Sequence, residues 1–515
     1  MSGEYAPAAV WPPDSTDEQR ASAVLVLRGR ILSAVRTFGR TVRLGVRATV
    51  LAATDLAAGR FPLREAVVQA WFFASVSLLP AILISLPMGV VIAVQVGSLT
   101  ENVGAGSMAG AVGGMGVMQQ IAPLAAALLV GGAGASAIAS DLGARTIREE
   151  IDALRTMGID PHRRLVAPRV VAMTVVAPML AVLVILMSIL ASFLVASVGQ
   201  GVAPGSYWLS FGSFASVTDV VSAAPGGQWT TRPSPYRPPG LRWTLRTQRA
   251  WDPLEELGFQ LRFGIAAVAG AGWALRRYRA QVVAVFTDLA WGNGRAVIVG
   301  GGVAPVLVVM GVVAGAMIGL VGITALDTLG MGPLAGAMSA LANPRELAPL
   351  IAAVGFAAQA GCRMTAEIGA MRIAEEIDAL EAQAIDPIPY VVSTRLLAAV
   401  LTVVPTYLIA LALGFLTTKL TVTAVHGEAA GSFEHYFQMF VEPRDLVYSL
   451  VKVVIFVVIV TGVHAYQGFY ATGGPEGVGV ASGRAIRASL VLIATADMVL
   501  TIAMWGFDTE FGFGG

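Results

Sequence analysis

Three acidic side chains that could bind a basic partner surface occur twice in the sequence with the same spacing. Each set lies in the motif Glu-Glu-Ile-Asp-Ala-Leu, which begins at residue 149 and returns 226 residues later, with an Ile-Asp-Pro motif after both copies. On a helix this motif places its carboxylates on roughly one face and its Ile and Leu on the other. A merely solvated acidic surface is the alternative, but the recurrence of one spacing favours docking of a soluble partner. The acids are Glu149, Glu150 and Asp152 in the first copy and Glu375, Glu376 and Asp378 in the second.

Three other charged residues fall within or near apolar segments. Lys452 lies inside an apolar run, where an ionisable side chain is costly and usually has a partner or lines a cavity. The alternative is that the Lys452 side chain extends along its helix to the outer surface of the membrane, where its ammonium group is hydrated. Arg363 and Glu367 are one helical turn apart, so we expect them to neutralise each other near the cytoplasmic end of a span rather than to bind a substrate.

The residue types indicate no metal site and no cofactor. The single Cys362 excludes a disulfide framework, and the four histidines lie far apart in the sequence. The Gly473–Gly477 loop is not a phosphate-binding loop, because it follows no strand and no lysine comes after it. We therefore expect no enzymatic activity, and any ATP hydrolysis must come from another polypeptide.

The composition predicts an all-α polytopic membrane protein. Of the 515 residues 56% are hydrophobic and 13% are charged, and several apolar runs exceed the roughly 20 residues that a helix needs to cross a bilayer. The formal charge of +1 gives no indication of nucleic acid. Two tandem repeats are predicted, with three spans in the first and five in the second. The predicted spans are residues 71–96, 121–139, 170–198, 296–321, 347–365, 396–420, 446–466 and 488–505.

The repeats divide the chain into four predicted parts. These are a disordered polar tail at residues 1–21, the first repeat at 22–221, a Pro/Arg-rich linker at 222–250 and the second repeat at 251–515. Each repeat opens with an amphipathic interfacial segment, at residues 22–60 and 252–293. The basic first segment is expected either to lie on the anionic cytoplasmic leaflet or to pack on the protein.

The distribution of positive charge predicts the orientation of the spans. Arginines crowd around the first acidic motif, whereas residues 170–231 contain neither Lys nor Arg. Because positively charged loops stay in the cytoplasm, the acidic helices of both repeats are expected there. The span count disagrees, since three predicted spans separate the two motifs and an odd number puts them on opposite sides. A further crossing at Phe263–Leu275 would be needed to restore agreement.

The first repeat ends early. Its register with the second repeat holds to Asp219, which corresponds to Asp445, and is then lost. The first repeat therefore lacks counterparts of the last two spans. We favour a deletion or frame change that fused two neighbouring chains, and a natural, functional fusion is the alternative.

Both repeats resemble the YrbE/MlaE permeases of ABC-type lipid transporters, and specifically the paired YrbE permeases encoded beside Mce proteins in actinobacteria. The first repeat resembles the A-type subunit in the stretches SLPMGVVIAVQVGSL and ASDLGARTIREEIDALRTMGID. The second resembles the B-type subunit in GCRMTAEIGAMRIAEEIDALEAQAI, SLVKVVIFVVIV and GGPEGVGVASGRAIRASL.

This resemblance implies a permease of the cytoplasmic membrane that moves a lipid, whether a phospholipid, a fatty acid or a sterol. It implies two kinds of protein partner, a cytoplasmic ABC ATPase that docks on the acidic coupling helices and Mce proteins outside the membrane. A non-transporting scaffold, or an inactive fused permease, agrees with the missing spans and stays open. A secondary transporter would carry acids inside its spans for ion coupling, and we expect none there apart from Glu367 near one end.

Overall fold

The computed structural model describes most of both repeats. The predicted tail and the predicted linker lie outside the described residues. Those residues are 36, 39–40, 42–102, 108–118, 122–134, 138, 141–143, 145–146, 149–214, 252–292, 302–322, 326, 330 and 332–506.

Within these residues, seven helices are long and apolar enough to cross a membrane. Two belong to the first repeat and five to the second, which agrees with the predicted all-α polytopic class. The predicted span at 121–139 corresponds to a shorter apolar helix, Ala122–Gly132, and several residues after that helix lie outside the described part. The seven helices are Leu63–Gln95, His162–Gly199, Val303–Leu320, Gly332–Ile373, Ile388–Val425, Pro443–Phe469 and Gly474–Trp505.

The first repeat begins with a surface helix, continues into a long span and places its acidic helix before the next long span. Prolines inside the long helices are tolerated because neighbouring helices and local adjustments satisfy the freed carbonyl groups. The helices are α1 (residues 42–57), α2 (Leu63–Asn102), α3 (Ala109–Gly116), α4 (Ala122–Leu128), α5 (Glu150–Thr156), α6 (Ala167–Leu194) and α7 (Pro204–Phe214).

The second repeat follows the same order and adds two further spans, α17 and α18. π-Helical turns join α11, α12 and α13 into one continuous element, and α14 is the second acidic helix. The helices are α8 (Asp252–Arg277), α9 (Arg279–Trp291), α10 (Val303–Met317), α11 (Ala335–Ala342), α12 (Ala348–Phe356), α13 (Cys362–Ile373), α14 (Glu376–Ala382), α15 (Thr394–Val425), α16 (Ala430–Phe440), α17 (Pro443–Phe469) and α18 (Gly474–Trp505).

A glycine lets the first and third spans of each repeat approach closely. A Cβ atom on Gly89 of α2 would lie 2.2 Å from the carbonyl oxygen of Ser188 in α6, and one on Gly315 of α10 would lie 2.1 Å from the carbonyl oxygen of Gly414 in α15. Both pairs are related by the 226-residue shift. Small residues at such crossings allow helix backbones to pack closely in apolar surroundings, so the same helix pair packs closely in each repeat.

The two repeats pack against each other in the same orientation. Helix α2 of the first repeat runs along α18, the last helix of the second. Phe72 near the start of α2 lines one cavity with Val480 near the start of α18, and Ile84 further along α2 lines another with Ile493 further along α18. The two helices therefore run in the same direction.

Both acidic helices lie at one end of the bundle, which we call the acidic end. Asp141, shortly before α5, lines the same cavity as the start of α18. Gly369, shortly before α14, lies against Val478 at the start of α18. The arrangement agrees with the charge distribution rather than with the span count.

The segment Phe263–Leu275 belongs to α8, which is not one of the seven candidate spans. The ring of Phe263 packs edge-on against Phe469 at the end of α17, and the hydroxyl of Ser393 donates a hydrogen bond of 2.7 Å to the carbonyl of Ala267. Trp273 contacts Tyr278, which contacts Tyr390 just before α15. These contacts place α8 along the acidic end of the second repeat.

The surface helix α1 of the first repeat packs on the protein at the same end. Arg47 of α1 binds Asp160 at 3.2 Å, and Asp55 binds Arg163 at 3.3 Å. Ala52 between them is buried. Of the two interpretations of this basic segment, the structure shows the packed one for residues 42–57.

We predict that Gly315→Ala destabilises the protein, because the added methyl group pushes α10 away from α15. Overpacking of this kind costs about 1–3 kcal/mol, so the thermal unfolding midpoint in detergent should fall. Gly462→Ala in α17 is the matched control, since no heavy atom lies within 4 Å of its added Cβ. Alanine in that helix should be neutral or stabilising by up to about 1 kcal/mol. Equal midpoints for the two variants would show that the close crossing does not limit stability.

Candidate functional site

Both acidic helices begin with the same unusual backbone conformation. Glu149 and Glu375, the residues that precede α5 and α14, have φ of 58° with ψ of 15° and 17°. This left-handed region costs a residue other than glycine about 1–2 kcal/mol. The same strained residue at equivalent positions of both repeats indicates that the sharp turn into the acidic helix is a feature of the repeat.

The carboxylates of the first acidic helix are partly paired within the protein. Arg145 binds Glu150 at 3.3 Å, and Arg155 binds Asp152 at 2.8 Å. Glu149 is exposed and has no ion-pair partner among the described residues. In this copy the carboxylate of Glu149 is therefore available to bind a partner protein.

The second acidic helix presents more unpaired negative charge. Ile377 is buried and fixes the helix to the protein, so that its opposite face is exposed. Arg372 binds Asp378 at 2.5 Å. Glu375 and Glu376 are exposed, and within the described part of the chain neither has an ion-pair partner.

An arginine–carboxylate pair lies behind each acidic helix. In the first repeat Arg169 binds Asp141 and donates a hydrogen bond of 2.9 Å to the backbone carbonyl four residues earlier. In the second, Arg395 lies 3.6 Å from Glu367 and makes the same 2.9 Å bond four residues back. The pairs are related by the 226-residue shift, so they connect the element before each acidic helix to the span after it.

The predicted pairing of Arg363 with Glu367 is present, and it belongs to a larger network. The Nε atom of Arg363 donates to Glu367 at 2.7 Å, and its Nη2 atom binds Asp288 of α9. Glu367 thus lies between two arginines. The network joins α9, α13 and α15 at the acidic end.

Lys452 is fully buried and does not extend to an interface. Its Nζ atom lies 2.7 Å from Asp497 and 3.3 Å from Glu346. It also donates to Thr501 at 2.9 Å and to the backbone carbonyl of Arg345 at 2.6 Å. Two carboxylates and two neutral oxygen atoms from two other helical elements therefore surround the ammonium group, as the low dielectric of a membrane interior requires.

The cluster continues to a second buried ion pair. Arg345 binds Asp445 at 2.7 Å, and both side chains are buried. The indole Nε1 of Trp505 donates to Asp445 at 2.8 Å, and the Trp505 ring lies 5.5 Å from the Arg345 guanidinium and 5.4 Å from Lys452 Nζ. We call Arg345, Glu346, Asp445, Lys452 and Asp497 the buried charge cluster.

The buried charge cluster is specific to the second repeat, but it touches the first. The amide of Gln95 in α2 donates to Glu346 at 2.9 Å. The positions of the first repeat that correspond to Arg345 and Glu346 hold Gln119 and Gln120, which lie outside the described residues. The span that carries Lys452 has no counterpart in the first repeat. The two halves thus contribute unequally to the centre of the bundle.

The expectation that the spans hold no acid apart from Glu367 is wrong. Asp497 is buried within α18, and Glu346 lies inside the element Gly332–Ile373. The signal was present in the sequence, because a lysine within a span requires a carboxylate within reach. Sequence reasoning did not pair Lys452 with Asp497, since the two are 45 residues apart on different helices.

A family model described as "Permease MlaE" matches the chain in two segments, residues 66–224 and 295–503. The two segments cover more than two thirds of the chain, one in each repeat. The segment between them contains the predicted linker and the helices α8 and α9.

Individual proteins of this kind are similar to parts of the chain. An intermembrane phospholipid transport system permease protein of Haemophilus influenzae is 30% identical over 202 residues, which are 39% of this chain and 77% of that protein. The chloroplastic protein TRIGALACTOSYLDIACYLGLYCEROL 1 of Arabidopsis thaliana is 32% identical over 34% of this chain and 49% of its own length. A probable ABC transporter permease of Rickettsia conorii is 34% identical over 31% of this chain and 62% of its own. The alignment thus spans less than two thirds of the last two relatives.

We predict that Lys452→Met strongly destabilises the protein, because Asp497 and Glu346 are then left buried without their cation. Breaking a buried pair in this way costs about 3–5 kcal/mol, which should lower the thermal midpoint and the yield of monodisperse protein. The double variant Lys452→Met/Asp497→Leu should recover part of the loss, because it removes the more deeply buried of the two unpaired carboxylates.

The matched control is Lys419→Met, which removes a lysine whose pair with Glu434 is about 40% exposed on both sides. That change should cost no more than about 1 kcal/mol. If Lys452→Met and Lys419→Met shift the midpoint equally, the buried charge cluster does not have the energetic role assigned to it.

Proposed function

The chain belongs to the MlaE permease family, and from this premise we propose that it is the membrane component of an ABC-type lipid transporter. A separate cytoplasmic ATPase drives it through the acidic helices α5 and α14. The observation that carries the proposal is the recurrence of one strained, exposed acidic helix at the same end of two repeats that lie in the same orientation.

The family and the seven long apolar helices make the chain a multi-pass membrane protein. Membership in a permease family makes it a transporter subunit rather than an enzyme. We place it in the cytoplasmic membrane with the acidic end in the cytoplasm, because the arginine-rich segments lie at that end.

The proposed cargo is a lipid, whether a phospholipid, a fatty acid or a sterol. The H. influenzae relative is by name a phospholipid transport permease. The surfaces where the repeats meet are lined by apolar side chains such as Met88, Leu128, Leu350 and Leu490. Such surfaces suit acyl chains and sterols alike, since neither requires a particular polar partner.

The proposed docking residues are the six carboxylates of the acidic helices. Docking at α14 should dominate, because Glu375 and Glu376 are exposed and have no ion-pair partner in the described part of the chain. At α5 the partners Arg145 and Arg155 already occupy Glu150 and Asp152. A basic groove on an ATPase would therefore gain more from the second copy.

The partners proposed at the opposite end are Mce proteins, which would exchange lipid with the permease outside the membrane. The proposed domain boundaries are residues 22–221 and 251–515, joined by the linker at 222–250. We interpret the join as a fusion of an A-type and a B-type permease chain, because the first repeat has no counterpart of α17 and α18.

A membrane scaffold without transport activity is the second candidate. It is favoured by one observation, the absence from the first repeat's sequence of the spans that carry Lys452 and Asp497 in the second. Purified with its ATPase and reconstituted in vesicles, a permease should show hydrolysis that rises on addition of lipid. A scaffold would bind the ATPase without this stimulation, and a secondary transporter would respond to an ion gradient without any ATPase.

We predict that Glu375→Lys/Glu376→Lys abolishes co-purification with the ATPase and the lipid-stimulated hydrolysis, while the protein stays in the membrane fraction. Reversed charge at a docking surface replaces attraction by repulsion and should weaken the complex by at least about tenfold. The control is Glu428→Lys/Glu442→Lys at the opposite end of the bundle, which should leave the complex intact. Unchanged co-purification of the α14 variant would remove the coupling role of this helix.

A further inference from the structure

A second cavity lies between the repeats at the acidic end, away from the buried charge cluster. Its volume is about 510 Å³. The start of α2, the residues before α5 and the start of α6 form one side of it, and the start of α18 forms the other. Both repeats are thus needed to build it.

The polar part of this cavity has an excess of positive charge. Four arginines and two carboxylates line it. Asp141 binds Arg145 at 3.1 Å and also binds Arg169, so its negative charge is already neutralised within the first repeat. The other two arginines, Arg484 and Arg487, are one helical turn apart on α18.

Arg484 and Arg487 have no carboxylate partner within the described residues. Arg487 is half-buried, whereas Arg484 is exposed. Two guanidinium groups that are one helical turn apart and line the same cavity repel each other unless an anion lies between them. Guanidinium groups bind phosphate oxygens in a bidentate manner, which makes a phosphate group a fitting anion for this pair.

The rest of the cavity is apolar. Phe72, Phe73 and Val76 of α2 form its wall, with Val480 of α18 opposite. Phe72 and Val480 are also exposed on the surface of the bundle. The cavity therefore opens to the lipid-facing side at the level where the spans begin, with apolar side chains beside the arginines.

We propose that this cavity binds the phosphate-bearing headgroup of an anionic lipid from the leaflet at the acidic end. Arg484 and Arg487 hold the phosphate, and the acyl chains lie against Phe72, Phe73 and Val480. A free phosphate ion would use the same arginines but would leave the aromatic wall without a ligand, so the lipid is the form that matches both parts.

The site is asymmetric, which follows from the missing spans. The first repeat has no counterpart of α18 and hence no second pair of arginines equivalent to Arg484 and Arg487. We expect one such lipid per chain. The inference requires only that the bundle is embedded in a membrane, and it does not depend on the ATPase, on Mce proteins or on transport.

Native mass spectrometry of the full chain tests the proposal. The purified protein is mixed with phosphatidylglycerol and phosphatidylcholine that have the same acyl chains, and the retained lipids are counted. We expect one retained phosphatidylglycerol in preference to phosphatidylcholine. Arg484→Gln/Arg487→Gln should reduce this preference about tenfold or more, because two charge-assisted contacts are lost. The exposed Arg276→Gln at the end of α8 is the control and should leave the preference unchanged.

Equal retention of the two lipids, or an unchanged preference in Arg484→Gln/Arg487→Gln, overturns the proposal. Full displacement of phosphatidylglycerol by inorganic phosphate assigns the arginines to a free anion and overturns the lipid form. If the double variant is not monodisperse, the single variant Arg484→Gln decides, since its exposed side chain can be replaced without disturbing the fold.

Discussion

The structure depends on the cost of placing charge in an apolar environment. Lys452 lies inside a span and is fully buried, so it requires negative partners that come from other helices. Asp497 supplies one from α18 and Glu346 supplies another from the element before α12. Because Gln95 of the first repeat also binds Glu346, this single requirement fixes the relative positions of three elements of the second repeat and one of the first.

Repetition and asymmetry together explain the arrangement of the functional parts. The acidic helices, the arginine–carboxylate pairs behind them and the glycine crossings recur with one shift, so the two repeats share these structural features. Within the described residues, the buried charge cluster and the arginines of α18 belong to the second repeat. The first repeat packs its helix α2 along α18 of the second repeat. Helix α18 therefore carries residues of both the buried charge cluster and the arginine-lined cavity between the repeats.

Much of this was predictable from the sequence, because spans and surface helices follow from local composition. All five spans of the second repeat and the helical form of both acidic motifs were predicted from apolar runs and spacing. The partners of Lys452 were not, since Asp497 and Glu346 are distant in sequence and pairing across helices leaves no local pattern. The left-handed Glu149 and Glu375 were missed for a related reason, because glutamate carries no signal for that conformation.

The two repeats of the chain lie in the same orientation, and we propose that both acidic helices are in the cytoplasm. Cysteine accessibility tests this placement. With Cys362 replaced, single cysteines are placed at the exposed residues Thr156 and Gln383, one at the end of each acidic helix. We expect a membrane-impermeant thiol reagent to label both positions from the cytoplasmic side alone. Labelling of the two positions from opposite sides would contradict this placement, and would mean that the second repeat is inverted relative to the first.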